Sequence, residues 1–296
     1  MTVAEECGNC LKSPEISGKT AVYGIIGDPI DHSLSPLIQN AAFSKMCLDA
    51  IYVPFHVTKP DLKRAVQGLV ATGVRGFNVT TPHKVNIIPY LKRLDPNATE
   101  IQSVNTVINR NGILEGYNTD GIGALRAVKV ERLQNASVLI FGAGGAARAI
   151  ANTYAPRAKS LLIINRTFRK AKELERSIRK FKRKTEATSL TDRKIPEYVR
   201  NADIIVNASS MGMSNQTRLP VKADWFQSNQ LVFDIVYEPV ETELLRLARR
   251  AGAATVNGLE MLLNQGCCSF ELWTGLKAPI AAMNRVLNRK LAVANA

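Results

Sequence analysis

The chain has 296 residues, 46% of them hydrophobic, and a formal net charge of +14, which is enough apolar material for two domains of ordinary size. No apolar run approaches the roughly 18 residues of a membrane span, and Met1 to Thr20 carries Glu5, Glu6 and Lys12 where a secretory signal needs an apolar core. Five cysteines, with Cys267 and Cys268 adjacent, do not make a disulfide framework. A protein with reduced thiols, no membrane contact, a cytoplasmic location and a flexible leader over 1–19 is expected. Cys7-Gly8-Asn9-Cys10 has zinc or redox spacing but no second pair to match it, so no metal is expected. Much of the basic excess lies between Arg166 and Lys194. Arg176, Arg179, Lys180, Lys182, Arg183 and Lys184 are spaced as the solvated side of a helix and its exit, without an aromatic platform except Phe181. That pattern predicts no nucleic-acid partner and suits attraction of an anionic cofactor and substrate.

In chain order, Val22 to Ile26 reads as a buried strand, Pro36 to Met46 as a helix, Ile51 to His56 as a strand, Pro60 to Thr72 as a helix stopped by Gly73, and Gly76 to Thr80 as a third strand. Such alternation implies mainly parallel pairing. Asn111-Gly112, between Thr106 to Arg110 and Ile113 to Tyr117, is a two-residue hairpin signal that makes the first sheet mixed. After Thr119, suited to cap a helix, a connecting helix runs to about Val128. Strands at Ser137 to Phe141, Ser160 to Asn165, Asp203 to Asn207 and Leu231 to Ile235, with helical patterns between, predict a second, doubly wound unit. Helices follow at Gly258 to Phe270 and Pro279 to Leu291. The fold class is therefore α/β with two α/β domains: a mixed-sheet substrate domain, 20–121 plus 257–296, to which the C-terminal helices return, and a Rossmann-type domain, 122–256.

Val138 to Phe141 leads into Gly142-Ala143-Gly144-Gly145-Ala146-Ala147, a G-x-G-x-x-A turn between strand and helix. Gly142 permits the tight turn, Gly144 admits a pyrophosphate, and Ala147 lets helix and strand pack closely. At the end of the next strand, where an NAD enzyme places an acid, stand Asn165-Arg166-Thr167, then Arg169 and Lys170. Cations and a hydroxyl suit a 2′-phosphate, so NADP is the expected cofactor.

Asn78-Val79-Thr80-Thr81-Pro82-His83-Lys84 sets hydrogen-bonding groups and one ammonium just past a short apolar strand. A nearby carboxylate, Asp120, would keep that ammonium charged and ready to protonate a carbonyl under reduction. Ser33 and Ser35 could grip a carboxylate, and Ser35 before Pro36 also fits a helix N-cap.

Ser33-Leu34-Ser35-Pro36, Asn78 to Lys84, Val104-Asn105-Thr106, Asn118-Thr119-Asp120-Gly121, Gly142 to Ala147, Asn165-Arg166-Thr167, Asp234-Ile235-Val236-Tyr237 and Gly258 to Leu262 with Gln265 together resemble the shikimate dehydrogenases, over about Val22 to Gly275. The resemblance implies reversible, NADPH-dependent reduction of 3-dehydroshikimate to shikimate in aromatic amino-acid biosynthesis. It implies Lys84 and Asp120 as the catalytic pair, with Ser33 and Ser35 on the substrate carboxylate, Tyr237 near it, and Thr80, Asn105, Asp120 and Gln265 on ring hydroxyls. It implies cofactor binding by Gly142, Ala143, Gly144, Gly145, Ala146, Asn165, Arg166, Thr167 and Lys170, with Ile235 and Gly258 bordering the nicotinamide. His83, Ser103 and Glu260 depart from the family pattern, in which Phe, Ala and Gly are frequent at these places. A quinate/shikimate dehydrogenase is the nearest rival, and a non-catalytic dinucleotide sensor a remote one. The two serines of the carboxylate loop favour shikimate. A homodimer and a monomer fit the sequence equally.

Overall fold

The computed structural model describes residues 15–181, 183–213 and 218–294. Cys7, Cys10 and Lys182 lie outside the described residues. The chain divides into two compact units, one of Met1–Thr99, Val104–Thr119 and Gly266–Ala296, the other of Glu100–Ser103 and Asp120–Gln265. No helix among the described residues is long and apolar enough to cross a membrane.

In the first unit, β1 (Ala21–Gly27), α1 (Ser35–Lys45), β2 (Ala50–His56), α2 (Leu62–Ala71) and β3 (Gly76–Val79) follow the strand–helix alternation of the sequence. Next come β4 (Arg93–Leu94), α3 (Pro96–Ile101), β5 (Thr106–Arg110) and β6 (Ile113–Tyr117). The sheet order is β2-β1-β3-β5-β6-β4. β1 runs parallel to β2 and β3, whereas β5 is antiparallel to β3 and β6, giving the mixed sheet that the hairpin predicts. Asn111 (φ 54°) and Gly112 (φ 88°) both take the left-handed conformation that a two-residue hairpin of this twist demands.

The second unit starts with α4 (Asp120–Val128) and α5 (Val130–Leu133). It continues through β7 (Ser137–Phe141), α6 (Gly145–Tyr154), β8 (Ser160–Asn165), α7 (Phe168–Ile178), β9 (Lys184–Ser189), α8 (Ile195–Asn201), β10 (Ile204–Asn207), β11 (Leu231–Asp234), α9 (Glu243–Arg250) and β12 (Ala254–Val256). Its sheet is parallel throughout, in the order β12-β11-β10-β7-β8-β9. The chain reverses its direction of winding between β7 and β10, and in such sheets ligands collect beyond the carboxyl ends of the strands at that point.

Two helices end the chain, α10 (Gly258–Thr274) and α11 (Ile280–Ala294). The α11 helix packs on α1 with Met283 and Leu287 buried, as its apolar stripe requires. Late in α10, Trp273 and Phe270 complete an aromatic layer with Tyr23, Phe43 and Tyr52, ring centroids 5.2 to 5.9 Å apart. Trp273 Nε1 donates to the Val107 carbonyl at 3.0 Å, directly over Gly76, where any Cβ would come within 2.5 Å of the indole nitrogen.

Two local readings of the sequence are corrected. Helix α1 starts at Ser35 with Leu34 as its cap, so Ser35 does not act as the N-cap; Ser33 Oγ instead accepts from the Ser35 N–H at 3.3 Å. Lys184, read as part of a helix exit, opens the edge strand β9.

Candidate active site

In the first unit the polar groups are built around the end of β3. Thr80 N–H donates to Ile26 O (3.0 Å) and Asp28 N–H to Thr81 O (2.9 Å), which ties the serine loop after β1 to the Thr80 turn. Gly27 makes this approach possible, since a Cβ there would lie 2.4 Å from Thr80 Cγ2. The Lys84 carbonyl accepts from Val104 N–H at 2.8 Å and the Asn105 carbonyl from Val79 N–H at 2.9 Å. Thr80, Lys84 and Asn105 are thereby bolted together through the backbone. Lys84 is half-buried.

Asn105 is held by its side chain as well. Its Oδ1 accepts from Thr119 N–H at 2.7 Å and its Nδ2 donates to Thr119 Oγ1 at 2.9 Å. Its backbone carbonyl is bonded in turn by Asn78, the first residue of the segment that ends at Lys84. It is buried, its Oδ1 accepts from Tyr52 Oη at 2.7 Å, and its Nδ2 lies 2.9 to 3.1 Å from Asn105 O, Thr106 Oγ1 and Ser269 Oγ. Buried polar networks of this kind fix side chains when their members are satisfied. Ser269 lies one turn of α10 beyond Gln265.

His83 is fully buried, with Nε2 2.6 Å from the Val57 carbonyl. A carbonyl only accepts, so Nε2 is the donor of this bond, and Nδ1 has no hydrogen-bond partner. The imidazole links the Lys84 turn to the exit of β2. Ser103 is also fully buried, whereas Glu260 is exposed.

The second unit carries Asp120, Tyr237, Gln265 and the dinucleotide turn. Asp120 is buried at the first position of α4. Gln265 is buried, its Nε2 donating to Leu262 O at 3.0 Å, and α4 meets α10 so closely that a Cβ on Gly123 would lie 3.0 Å from Gln265 Cβ. Tyr237 is half-buried. Gly142 has φ +116°, and a Cβ on it would meet Ala208 O at 2.7 Å, so only glycine serves there. In front of Gly144 there is open space, with nothing within 4 Å of an added Cβ, and Gly144 caps α6 without a side-chain hydrogen bond. The first amides of α6 thus face an uncapped opening that fits a pyrophosphate.

At the end of β8, Asn165 Nδ2 donates to Thr167 O at 2.9 Å and shapes the turn into α7. Arg166, Thr167 and Lys170 are exposed, and among the described residues neither Arg166 nor Lys170 forms a salt bridge; Arg169 is drawn to Glu173 instead. A cluster of cations and a hydroxyl with no carboxylate among them fits a nucleotide 2′-phosphate. On the far side of the sheet's switch point, a Cβ on Gly258 would lie 2.1 Å from Ile235 O, which places the start of α10 against the end of β11.

Two residues to which the sequence gives no individual role, Asn207 and Asp234, stand at the carboxyl ends of β10 and β11. Asp234 is fully buried and accepts from Asn207 Nδ2 (2.8 Å), Thr242 Oγ1 (2.6 Å) and Val236 N–H (3.0 Å). Burial pushes its carboxyl up to about 6, against the three donors, which favour the ionised form. Its signal in the sequence is its place at the head of Asp234-Ile235-Val236-Tyr237, as the polar last residue of the apolar strand Leu-Val-Phe-Asp.

Comparison with known families gives three matches in chain order. Residues 25–107 match the shikimate dehydrogenase substrate binding domain, 124–250 the shikimate / quinate 5-dehydrogenase family, and 258–287 the shikimate 5′-dehydrogenase C-terminal domain. A shikimate dehydrogenase (NADP(+)) of Pyrococcus furiosus is 44% identical over 272 residues, covering 92% of this chain and 96% of the relative. Among solved structures, shikimate 5-dehydrogenase from Listeria monocytogenes in complex with shikimate and NAD is 38% identical, with a TM-score of 0.82, covering 92% of this chain and 98% of that one. The enzyme from Thermus thermophilus in complex with NADP(H) and shikimate is 32% identical, with a TM-score of 0.80, covering 91% and 99%.

Proposed function

Since the chain belongs to the shikimate dehydrogenase family, we propose that it reduces 3-dehydroshikimate reversibly to shikimate, using NADPH. The observation that carries this reading is the Lys84 turn, fixed through the Lys84 carbonyl to the segment that leads into β5 by the Val104 N–H at 2.8 Å. Bound NADPH supplies hydride to the ketone carbon. Lys84 gives a proton to the ketone oxygen, so the carbonyl becomes a secondary alcohol, with one proton consumed for each cofactor oxidised. Asp120 is the second member of the proposed catalytic pair. General acid catalysis of this sort contributes on the order of 10² to 10⁴ in rate.

The substrate is a ring with one carboxylate, one ketone and two hydroxyls. Ser33 and Ser35 bind the carboxylate, with Tyr237 beside it, while Thr80, Asn105, Asp120 and Gln265 bind ring hydroxyls. The hydrogen bonds that lock Asn105 against Thr119 support this role, because a rigid amide discriminates hydroxyl positions at little ordering cost. Gly142, Ala143, Gly144, Gly145 and Ala146 cradle the pyrophosphate, Asn165 shapes the adjoining turn, and Arg166, Thr167 and Lys170 hold the 2′-phosphate. Ile235 and Gly258 border the nicotinamide.

The test is to follow NADPH absorbance with 3-dehydroshikimate, and then NADP and NAD with shikimate and with quinate. Turnover with NADPH and 3-dehydroshikimate is expected, with shikimate preferred over quinate in reverse. Absence of turnover with every pair would overturn the reading.

A further inference from the structure

Asp234 belongs to neither the glycine turn nor the set proposed for the substrate, yet its hydrogen bonds reach the backbone turns at the carboxyl ends of both β10 and β11. Through Val236 N–H (3.0 Å) it fixes the turn after β11, which includes Ile235 and Tyr237. Through Asn207 Nδ2 (2.8 Å) it reaches the turn after β10. Asn207 itself donates to Met211 O at 2.8 Å and accepts at Oδ1 from Ser209 N–H (3.1 Å) and Ser209 Oγ (2.7 Å). That turn begins at Ala208, whose carbonyl lies 2.7 Å from where a Gly142 Cβ would stand, and so forms the wall behind the dinucleotide turn. Through Thr242 Oγ1 (2.6 Å), finally, Asp234 orients the hydroxyl that caps α9 by accepting from Leu245 N–H.

We propose that Asp234 is a positioning residue for NADPH, a buried carboxylate that clamps the turns after β10 and β11 in the register that lets Ile235, Gly142 and Gly258 border one cofactor. The inference rests on the proposed NADPH-dependent activity. A carboxylate suits the place because all three partners are donors; an ionised side chain accepts from each, and such charge-assisted bonds are the strong ones. Protonation would turn one acceptor oxygen into a donor facing a donor. Burial is the largest influence on the group, followed by Thr242, Val236 and Asn207, and no other ionisable group contributes to it.

The experiment compares the unaltered protein with Asp234→Ala and Asp234→Asn, measuring NADPH affinity by fluorescence titration, kcat and both KM values, pH profiles from 5 to 8, and folding by circular dichroism. In Asp234→Asn the carbonyl oxygen can keep Asn207 and Val236 while the amide donates to Thr242 Oγ1. It should therefore retain NADPH binding at neutral pH and lose the acid limb of kcat/KM for NADPH near pH 6. Asp234→Ala orphans two buried donors and should weaken NADPH binding by roughly tenfold or more, with KM for 3-dehydroshikimate moving less. A folded Asp234→Ala that binds NADPH within twofold of the parent overturns the proposal. If Asp234→Ala does not fold, Asp234→Asn decides: an acid limb identical to the parent's overturns it. Failure of the unaltered protein to turn over with NADPH would count against the activity instead, while its NADPH affinity still reads the clamp.

Discussion

Lys84 and His83 are neighbours with opposite fates. The turn that leaves Lys84 half-buried carries the His83 ring inward onto Val57 O, so the imidazole is tied up in a structural bond while the lysine is the residue proposed for chemistry. Lys84→Ala should lower kcat by about 10² to 10⁴ while NADPH affinity stays within twofold, as measured by steady-state rates beside a fluorescence titration; near-normal turnover would remove Lys84 from its role. His83→Phe should destabilise the fold by about 1 kcal/mol, through an unsatisfied Val57 carbonyl, yet leave the pH profile of kcat unchanged; a shifted profile would return the imidazole to the mechanism. In the second unit, Arg166→Ala should raise KM for NADPH by roughly tenfold and change KM for NADH little, since only NADPH carries the 2′-phosphate. Equal weakening of both would contradict phosphate recognition. Lys84, Arg166 and the glycine turn stand out in the sequence as candidates because the chemistry proposed for them is local: a residue type at a fixed distance from a strand end. Asn78, His83 and Asp234 were illegible as to role because their partners lie far away in the chain, Ser269 being 191 residues from Asn78.

At the scale of elements, strands buried on both faces and amphipathic helices were legible, and short or edge elements were not. Lys184–Ser189 reads Lys-Thr-Glu-Ala-Thr-Ser, too polar to announce a strand, because β9 is the sheet's edge and pairs only with β8. β4 and β12 are two and three residues long, below the length at which alternation can be seen. Ser35 misled for a different reason: the Ser-Pro pair is a sound N-cap signal, but the Ser33 hydroxyl already accepts from the Ser35 amide and the helix starts one residue sooner. The junction of β11 with α10 depends on one glycine. Gly258→Ala would drive a methyl to 2.1 Å from Ile235 O, backbone that cannot rotate away. NADPH affinity should fall by at least about tenfold in a fluorescence titration, with stability lowered by roughly 1 to 3 kcal/mol; parent-like affinity in a folded variant would show that the two elements need not meet so closely.

Across the whole molecule, the +14 charge is partly quenched where it is densest, for Lys172 and Arg179 both engage Glu175 and Lys180 engages Glu100. Burial works against the Glu175 carboxylate, but its bonds to Arg179, Lys172 and Thr185 outweigh that and hold it below the ordinary carboxylate range. Glu115 is held low by Arg110, and Asp192 by Thr188. Groups of this kind stabilise the fold above their unfolded pKa values and lose that contribution as pH falls. Asp234 has the opposite sign. Its carboxyl is raised from an ordinary 3.8 to about 6, so between those values the folded protein retains a proton that the unfolded chain has released. Stability from this group is therefore greatest below about pH 4 and declines as pH rises through 6, by about 3 kcal/mol over the window. The other carboxylates mask this decline in the parent, and a single substitution exposes it. Denaturant unfolding of the parent and of Asp234→Asn at pH 4, 5, 6 and 7 should give a stability difference that moves in the variant's favour as pH rises, flattening above about 6.5. A difference independent of pH would mean that the carboxylate is ionised throughout, with its three donors outweighing its burial.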